Sequence, residues 1–450
     1  MSGMSLHVLA VGLEVEQRLV LVLVQLLIII AAARLFASLF RRMGQPAAVG
    51  EIAAGLVLGP SVLGKLEAAG LLPGISARVF DPSVGPVFTV MSQLGLVLLL
   101  FLVGMEFDFS HLRRHGRAAM SISVTGVAAP FILGYALGHI MHPFLPDERN
   151  IFGFSLFMGT AMAITALPIL GRIMMELKIN RTRVGAITIT AAAIDDATGW
   201  ILLAAVTALV QTGFVLKKSL VMIAMTVGFA LAMLLVVRPA MRAWIRWTMD
   251  RNAGELSLNA LAVVLLALFV CSIATSLIGI FAIFGAFMFG AILSDLDEFR
   301  AAVHRSLSGL VTVFFLPIFF TYTGLRTDIG TLDSAVMWLF AGAVLAVAIA
   351  AKFGGCALAA WMSGFSGREA TCIGVMMNTR ALMELVVINV GHDLGIIPPS
   401  VFCMLVIMAL VTTVMTTPIL LRAMRGTELE SGVVSAGFAR SLRPSGADGA

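Results

Sequence analysis

The stretch Thr188-Ile189-Thr190-Ala191-Ala192-Ala193-Ile194-Asp195-Asp196-Ala197-Thr198-Gly199-Trp200-Ile201-Leu202-Leu203-Ala204-Ala205-Val206-Thr207-Ala208-Leu209-Val210 is apolar except for two adjacent aspartates near its start. It is as long as a membrane-spanning helix. A carboxylate at the centre of a bilayer costs about 2.5–3.5 kcal/mol on insertion scales, so the pair costs roughly 5–7 kcal/mol unless something offsets it. Packing alone gives no reason to carry that burden. An acid pair at membrane depth that can hold a proton or a cation points to ion-coupled transport. A buried structural salt bridge is the alternative.

The surrounding chain supplies the membrane. Of its 450 residues, 60% are hydrophobic and 12% are charged, whereas a soluble domain carries roughly 25% charged residues. The mean hydropathy is +1.02. Apolar spans of roughly 17–25 residues fall at 17–40, 46–63, 85–107, 118–141, 150–173, 183–211, 218–238, 255–277, 279–294, 306–325, 334–362, 369–391 and 399–421. No charge separates the eighth from the ninth. Barrel strands would alternate over about ten residues, and these runs do not. The expected fold is an all-α polytopic membrane protein of about 13 transmembrane helices. The first span lacks a small-residue cleavage site and reads as a retained helix. The four cysteines are scattered through apolar segments and show neither metal-ligand nor disulfide spacing. The chain has no nucleotide-binding glycine fingerprint, and no cofactor is expected.

Orientation follows from charge. Alternate loops, taken with the polar tail, hold twenty of the 30 basic residues, and the opposite loops hold six: Lys65, Arg78, Arg149, Lys217, Lys218 and Arg326. Basic loops stay cytoplasmic. The reading is therefore a cell-membrane protein with its N-terminus outside and its C-terminus inside. It divides into an external segment 1–16, a membrane domain 17–421 and a short disordered cytoplasmic tail 422–450.

Three further features belong with the acids. Lys352 sits well inside span 334–362, too deep to reach water comfortably, and is the obvious counter-charge. A static lysine–aspartate pair that only holds two helices together is the alternative to a part in transport, and the two are compatible. In span 150–173, Ala163-Ile164-Thr165-Ala166-Leu167-Pro168 places a proline mid-span, which removes a backbone donor. In span 369–391, Met377-Asn378-Thr379-Arg380-Ala381-Leu382-Met383-Glu384 puts polar groups at membrane depth. Paired interrupted helices in corresponding positions of two halves mark a transporter's site. Spans 4–6 run uninterrupted, broken, acid-bearing, and spans 11–13 run lysine-bearing, broken, plain. That order suits an inverted repeat jointed at span 7. An ordinary proline kink and a buried Arg380–Glu384 pair at i, i+4 would explain each break singly. Glu51 and Glu106 lie near span ends, where capping is as good an explanation as an ion path.

Five stretches together resemble the monovalent cation:proton antiporter 2 family, which includes bacterial Na+/H+ and Kef-type K+ antiporters and plant cation/proton exchangers. They are Gln45-Pro46-Ala47-Ala48-Val49-Gly50-Glu51-Ile52-Ala53-Ala54-Gly55 with Leu58-Gly59-Pro60-Ser61; Gly104-Met105-Glu106; Ile164-Thr165-Ala166-Leu167-Pro168; Ala193-Ile194-Asp195-Asp196; and Asn378-Thr379-Arg380-Ala381-Leu382-Met383-Glu384-Leu385. The resemblance implies a core bundle, with two broken crossing helices, moving against a dimerisation bundle, and a homodimer in membrane lipid. Na+ or K+ and H+ would be the substrates, with no nucleic acid involved. Asp196 would be the main ion- and proton-binding carboxylate, Asp195 the partner of Lys352, and Thr165 a contributor near the crossing. Pro168, Asn378, Thr379, Arg380 and Glu384 would support them. Two residues depart from the family pattern: Ala381 replaces a usual glycine, and Gly171 a frequent alanine. Neither the Kef-type nucleotide-sensing domain nor the plants' long cytosolic tail follows the spans, so those modes of regulation are not expected. The rival functions are a proton-independent cation channel or uniporter and an intramembrane aspartate-dependent enzyme. Adjacent acids fit neither the two-helix protease geometry nor a diphosphate-binding spacing.

Overall fold

Helices carry nearly the whole chain. The computed structural model describes residues 2–71, 74, 80, 82–106, 116–145, 150–177, 179, 182–211, 215–251, 255–425, 427 and 429–430. Within these, the side chains of residues 2–15, 82, 116, 168, 172, 175, 176, 216 and 219 are not described. In chain order the longer helices are α1 (Ser2–Arg42), α2 (Ala47–Leu58), α3 (Gly85–Met105), α4 (Gly116–Met141), α5 (Ile151–Ala163), α6 (Leu167–Glu176) and α7 (Arg183–Gln211). Then come α8 (Leu216–Ala232), α9 (Arg238–Arg251), α10 (Leu258–Ile278), α11 (Ala282–Ile292), α12 (Asp297–Leu310) and α13 (Leu316–Leu325). The last are α14 (Ala335–Ile349), α15 (Gly355–Met362), α16 (Gly367–Met377), α17 (Leu382–Asp393) and α18 (Pro399–Ala423). Among the described residues there is no strand.

Among the described residues, eleven helical stretches are long and apolar enough to cross a membrane, and two shorter apolar helices, Ile151–Ala163 and Ala282–Ile292, fall in the other two expected spans. The chain is a multi-pass membrane protein. The unmarked boundary between spans eight and nine is made by Gly279. It closes α10 at φ 98° and donates its N–H to the carbonyls of Ser276 and Thr275, a left-handed cap that glycine adopts without steric penalty. α1 begins at Ser2, so the segment expected outside the first span continues its helix. The tail from residue 431 onward lies outside the described residues.

Prolines place two widened turns. A π turn at Met233–Val237 joins α8 to α9 just ahead of Pro239, and another at Val311–Phe315 joins α12 to α13 just ahead of Pro317. A proline ring clashes with the carbonyl four residues earlier, and widening the turn relieves that clash. A further π turn, Ala350–Gly354 between α14 and α15, carries Lys352.

Contacts sort the helices into two groups. A core bundle joins α4, α5, α7, α14, α15, α16 and α18, and a panel joins α1, α2, α3, α10, α11 and α13. In lipid, helices gain little from the hydrophobic effect and associate through close packing. The panel does this with glycines. A Cβ on Gly55 would strike the Thr321 carbonyl, and one on Gly324 would strike that of Ile52, so α2 and α13 touch backbone to backbone. The continuous α8–α9 rod connects the groups, and only 6% of its most apolar window is buried.

Candidate ion-binding site

Two spans stop being helical at the middle of the core bundle. α5 ends at Ala163 and α6 starts at Leu167; α16 ends at Met377 and α17 starts at Leu382. The two breaks meet, because the Ala166 N–H donates to the Thr379 carbonyl at 3.2 Å. Pro168 is the second residue of α6, where a missing N–H disrupts nothing. Its ring falls outside the described side chains. At the other break, Ala381 takes φ 108° and ψ −96°, a left-handed conformation that costs a residue with a Cβ. That residue is the alanine standing where the family usually has glycine.

α7 delivers the acids beside this crossing. Neighbouring residues on a helix point about 100° apart, and the two carboxylates accordingly find different surroundings. Asp195 is fully buried. Its Oδ2 accepts from Lys352 Nζ at 2.7 Å and from Thr165 Oγ1 at 2.9 Å. Lys352, also fully buried, donates further to the carbonyls of Ala163 at 2.6 Å and Gly126 at 2.7 Å. An ammonium has three protons, and all three are committed. Gly126 permits that approach, since a Cβ there would lie 2.6 Å from Cys356 Sγ and 3.5 Å from Asp195 Oδ2. Asp196 differs: it is 2% exposed, and neither of its oxygens has a hydrogen-bond partner. The N-terminal end of α6, at Leu167, is turned toward it.

The carbonyls left open at the end of α5 take up positive charge, as the negative end of a helix dipole favours. Arg380 Nη2 donates to the Met162 carbonyl at 2.6 Å, and Nη1 donates to that of Ala161 at 3.2 Å and to Glu384 Oε1 at 3.1 Å. With Lys352 on Ala163, two buried cations neutralise three successive carbonyls. Thr379 Oγ1 donates to Thr416 Oγ1 at 3.2 Å, and Asn378 Oδ1 is buried without a partner.

The structure therefore gathers Asp195, Lys352 and Thr165 into one network, and Arg380, Glu384 and Thr379 into a second. Asp196 and Asn378 are buried without partners for their oxygens. Glu51 lies instead in the panel, where its carbonyl accepts from Thr321 Oγ1 at 3.1 Å. Glu106 ends α3, with Oε1 3.7 Å from His304 Nε2. Sequence reasoning missed Gly126 and the carbonyls of Ala161–Ala163, because a backbone acceptor leaves no trace in residue identity.

Paired broken helices crossing beside buried carboxylates define a secondary transporter fold. The model of the family described as sodium/hydrogen exchanger, transmembrane, matches residues 26–423. The chain belongs to that family, whose members are transporters rather than enzymes. It is 35% identical over 406 residues to the Na(+)/H(+) antiporter NhaS4 of Synechocystis, covering 90% of this chain and 97% of that protein. It is 36% identical over 411 residues to Cation/H(+) antiporter 20 of Arabidopsis thaliana, and 30% identical over 407 residues to K(+)/H(+) antiporter 1 of Saccharomyces cerevisiae. These matches cover 88% and 89% of this chain, but the chain spans about half of the plant and yeast proteins, 48% and 46%. Among solved structures, the sodium proton antiporter MjNhaP1 from Methanocaldococcus jannaschii superposes with a TM-score of 0.60 at 17% identity, over 93% of this chain and 98% of that one. That likeness is one of fold.

Proposed function

We propose that this chain exchanges a monovalent cation, Na+ or K+, for protons across a cell membrane, through competition at the aspartate pair. The observation that carries the reading is the asymmetry of the acids: Asp195 is bound by Lys352 and Thr165, while Asp196 is buried without a partner. A bare carboxylate at that depth is costly, and the cost disappears when either a proton or a cation occupies it. One group cannot hold both, so each displaces the other. The names of the relatives, which describe Na(+)/H(+), cation/H(+) and K(+)/H(+) antiporters, support the same reading.

Movement follows from electrostatics. Carrying an uncompensated charge past the apolar panel is expensive, so the core bundle slides and re-exposes the site only when Asp196 is neutralised. Thr165 sits on the broken segment that contacts Asp195, and it offers its oxygen to the entering cation. A cation drawn also to Asp195 competes with Lys352. If the lysine then releases its proton, two protons leave per cation and transport moves net charge. Arg380, fixed on Ala161, Met162 and Glu384, stays in place and keeps the α5 terminus neutral throughout. In this account residues 17–421 form the transport domain, oriented with the N-terminus outside, and the exposed apolar faces of α1 and α10 suit a homodimer.

Reconstituted transport tests the proposal. Purified protein in liposomes with the membrane potential clamped should couple Na+ or K+ gradients to opposite proton movement across a series of cations. Downhill cation flux with no obligatory proton movement would instead identify a channel.

A further inference from the structure

Beside the ion site, the same helix lines a second and quite different space. The outer face of α7 from Ala197 onward, α8 and α11 enclose an apolar crevice of about 450 Å³. Ala204, Ala205, Ile223, Val227, Leu234 and Met288 are among its walls. Along α8 and the following π turn it runs from Ile223 to Leu234, about 16 Å at 1.5 Å per residue. At Leu234 it meets another hollow of about 480 Å³, lined by Leu234, Leu235, Arg238, Pro239, Arg242 and Arg246. Residues four apart share a helix face, so Arg238, Arg242 and Arg246 form a single basic row. Among the described residues one acid pairs with them: Asp295, after α11, lies 3.4 Å from Arg238 and pairs with Arg242. The Nε atoms of both Arg238 and Arg242 are buried without an acceptor. Trp247, on the next turn, is 53% exposed, as befits an anchor at the membrane interface.

We infer that this composite cleft is a binding site for an anionic phospholipid of the cytoplasmic leaflet, its phosphate on Arg238, Arg242 and Arg246 and one acyl chain in the crevice between α7 and α8. Charge and shape agree on the occupant. Three guanidinium groups against one carboxylate leave an excess of positive charge at headgroup level. Guanidinium groups are strong phosphate binders, and a narrow apolar slot opens from that same point toward the bilayer. A free phosphate would satisfy the row but leave the slot unused, and a neutral lipid would fill the slot but leave the row unbalanced. The widened turn ahead of Pro239 joins the two halves, because Leu234 on it lines both. The lipid would lie one residue beyond Asp196, against the helix that carries the acids. The inference stands whether or not Asp196 binds the transported ion.

Thermal unfolding of the full-length protein in detergent, titrated with defined additives, tests it. Dioleoyl phosphatidylglycerol should raise the midpoint, whereas dioleoyl phosphatidylcholine, inorganic phosphate and a short-chain dihexanoyl phosphatidylglycerol should not. Arg242→Gln with Arg246→Gln should weaken the phosphatidylglycerol response roughly tenfold or more in half-maximal concentration. Asp295→Asn, which removes the competing acid, should strengthen it. Should the double variant fold poorly, Ala204→Leu keeps every charge and narrows the slot, and it should lower the response to the long-chain lipid. Equal responses to the two long-chain lipids, a full response to inorganic phosphate, or an undiminished response in both the arginine and Ala204→Leu variants would each overturn the inference.

Discussion

The core bundle and the panel are both apolar, helical and closely packed at glycines, yet the core adds a network of buried charges to that packing. In the core, Asp195, Lys352, Arg380 and Glu384 are all fully buried, and their hydrogen bonds tie six segments together: α4, the end of α5, α7, the π turn, the second break and α17. In the panel, α2 meets α13 and α3 meets α11 through glycines whose backbones touch. The first kind of contact responds to the arrival of a charge, and the second does not. A fold that must shift one half against the other in response to an ion gains from dividing them in this way.

The largest expected effect concerns Asp196. Asp196→Asn should abolish cation-driven proton flux in everted vesicles, down to the leak of empty membranes. It should leave the unfolding temperature nearly unchanged, because neither carboxylate oxygen has a partner to lose. Full activity in that variant would end the competition scheme. Lys352→Met should lower stability as well, since it strands a buried carboxylate. Breaking such a pair costs about 3–5 kcal/mol, and a Lys352→Met/Asp195→Asn double variant should regain most of that stability in detergent unfolding. A Lys352→Ala variant with normal stability and normal flux would make the lysine a bystander.

The panel should be insensitive to ions and sensitive to volume. Gly324→Ala adds a methyl group where the Ile52 carbonyl already stands. Overpacking of this kind costs about 1–3 kcal/mol, and the loss should be the same with and without Na+ or K+. If the loss depended on the cation, the two halves would not be separable in the way described. The smallest effect is expected at Ala381→Gly. Removing the Cβ from a residue held at φ 108° should raise stability by roughly 1 kcal/mol, read as an increase in unfolding temperature.

Much of the site was legible because charge at membrane depth is conspicuous. Asp195, Asp196, Lys352 and Arg380 stand out from apolar surroundings, and the Leu167-Pro168 and Asn378–Ala381 breaks announce themselves by composition. The order of spans 4–6 and 11–13 also shows in the helices, with α4 unbroken, α5 and α6 broken, and α7 bearing the acids. What stayed hidden was geometric. Residue types alone do not say that Asp195, rather than Asp196, faces Lys352; the family resemblance implied it, but a helical turn of 100° separates the two and tertiary packing decides which points where. Nor do they disclose that the lysine rides on a π turn, for no proline follows Ala350–Gly354 to force one. Two expected spans proved to hold helices of only 13 and 11 residues, because the first is interrupted after Ala163 and the second starts only beyond the Gly279 cap of α10.

The central claim, that a proton and a cation compete for Asp196, has a direct test in proton release. Purified protein in weakly buffered detergent solution at fixed pH should release protons when Na+ or K+ is added, and Asp196→Asn should release none while remaining folded. Release of the same number of protons by the variant would contradict the account.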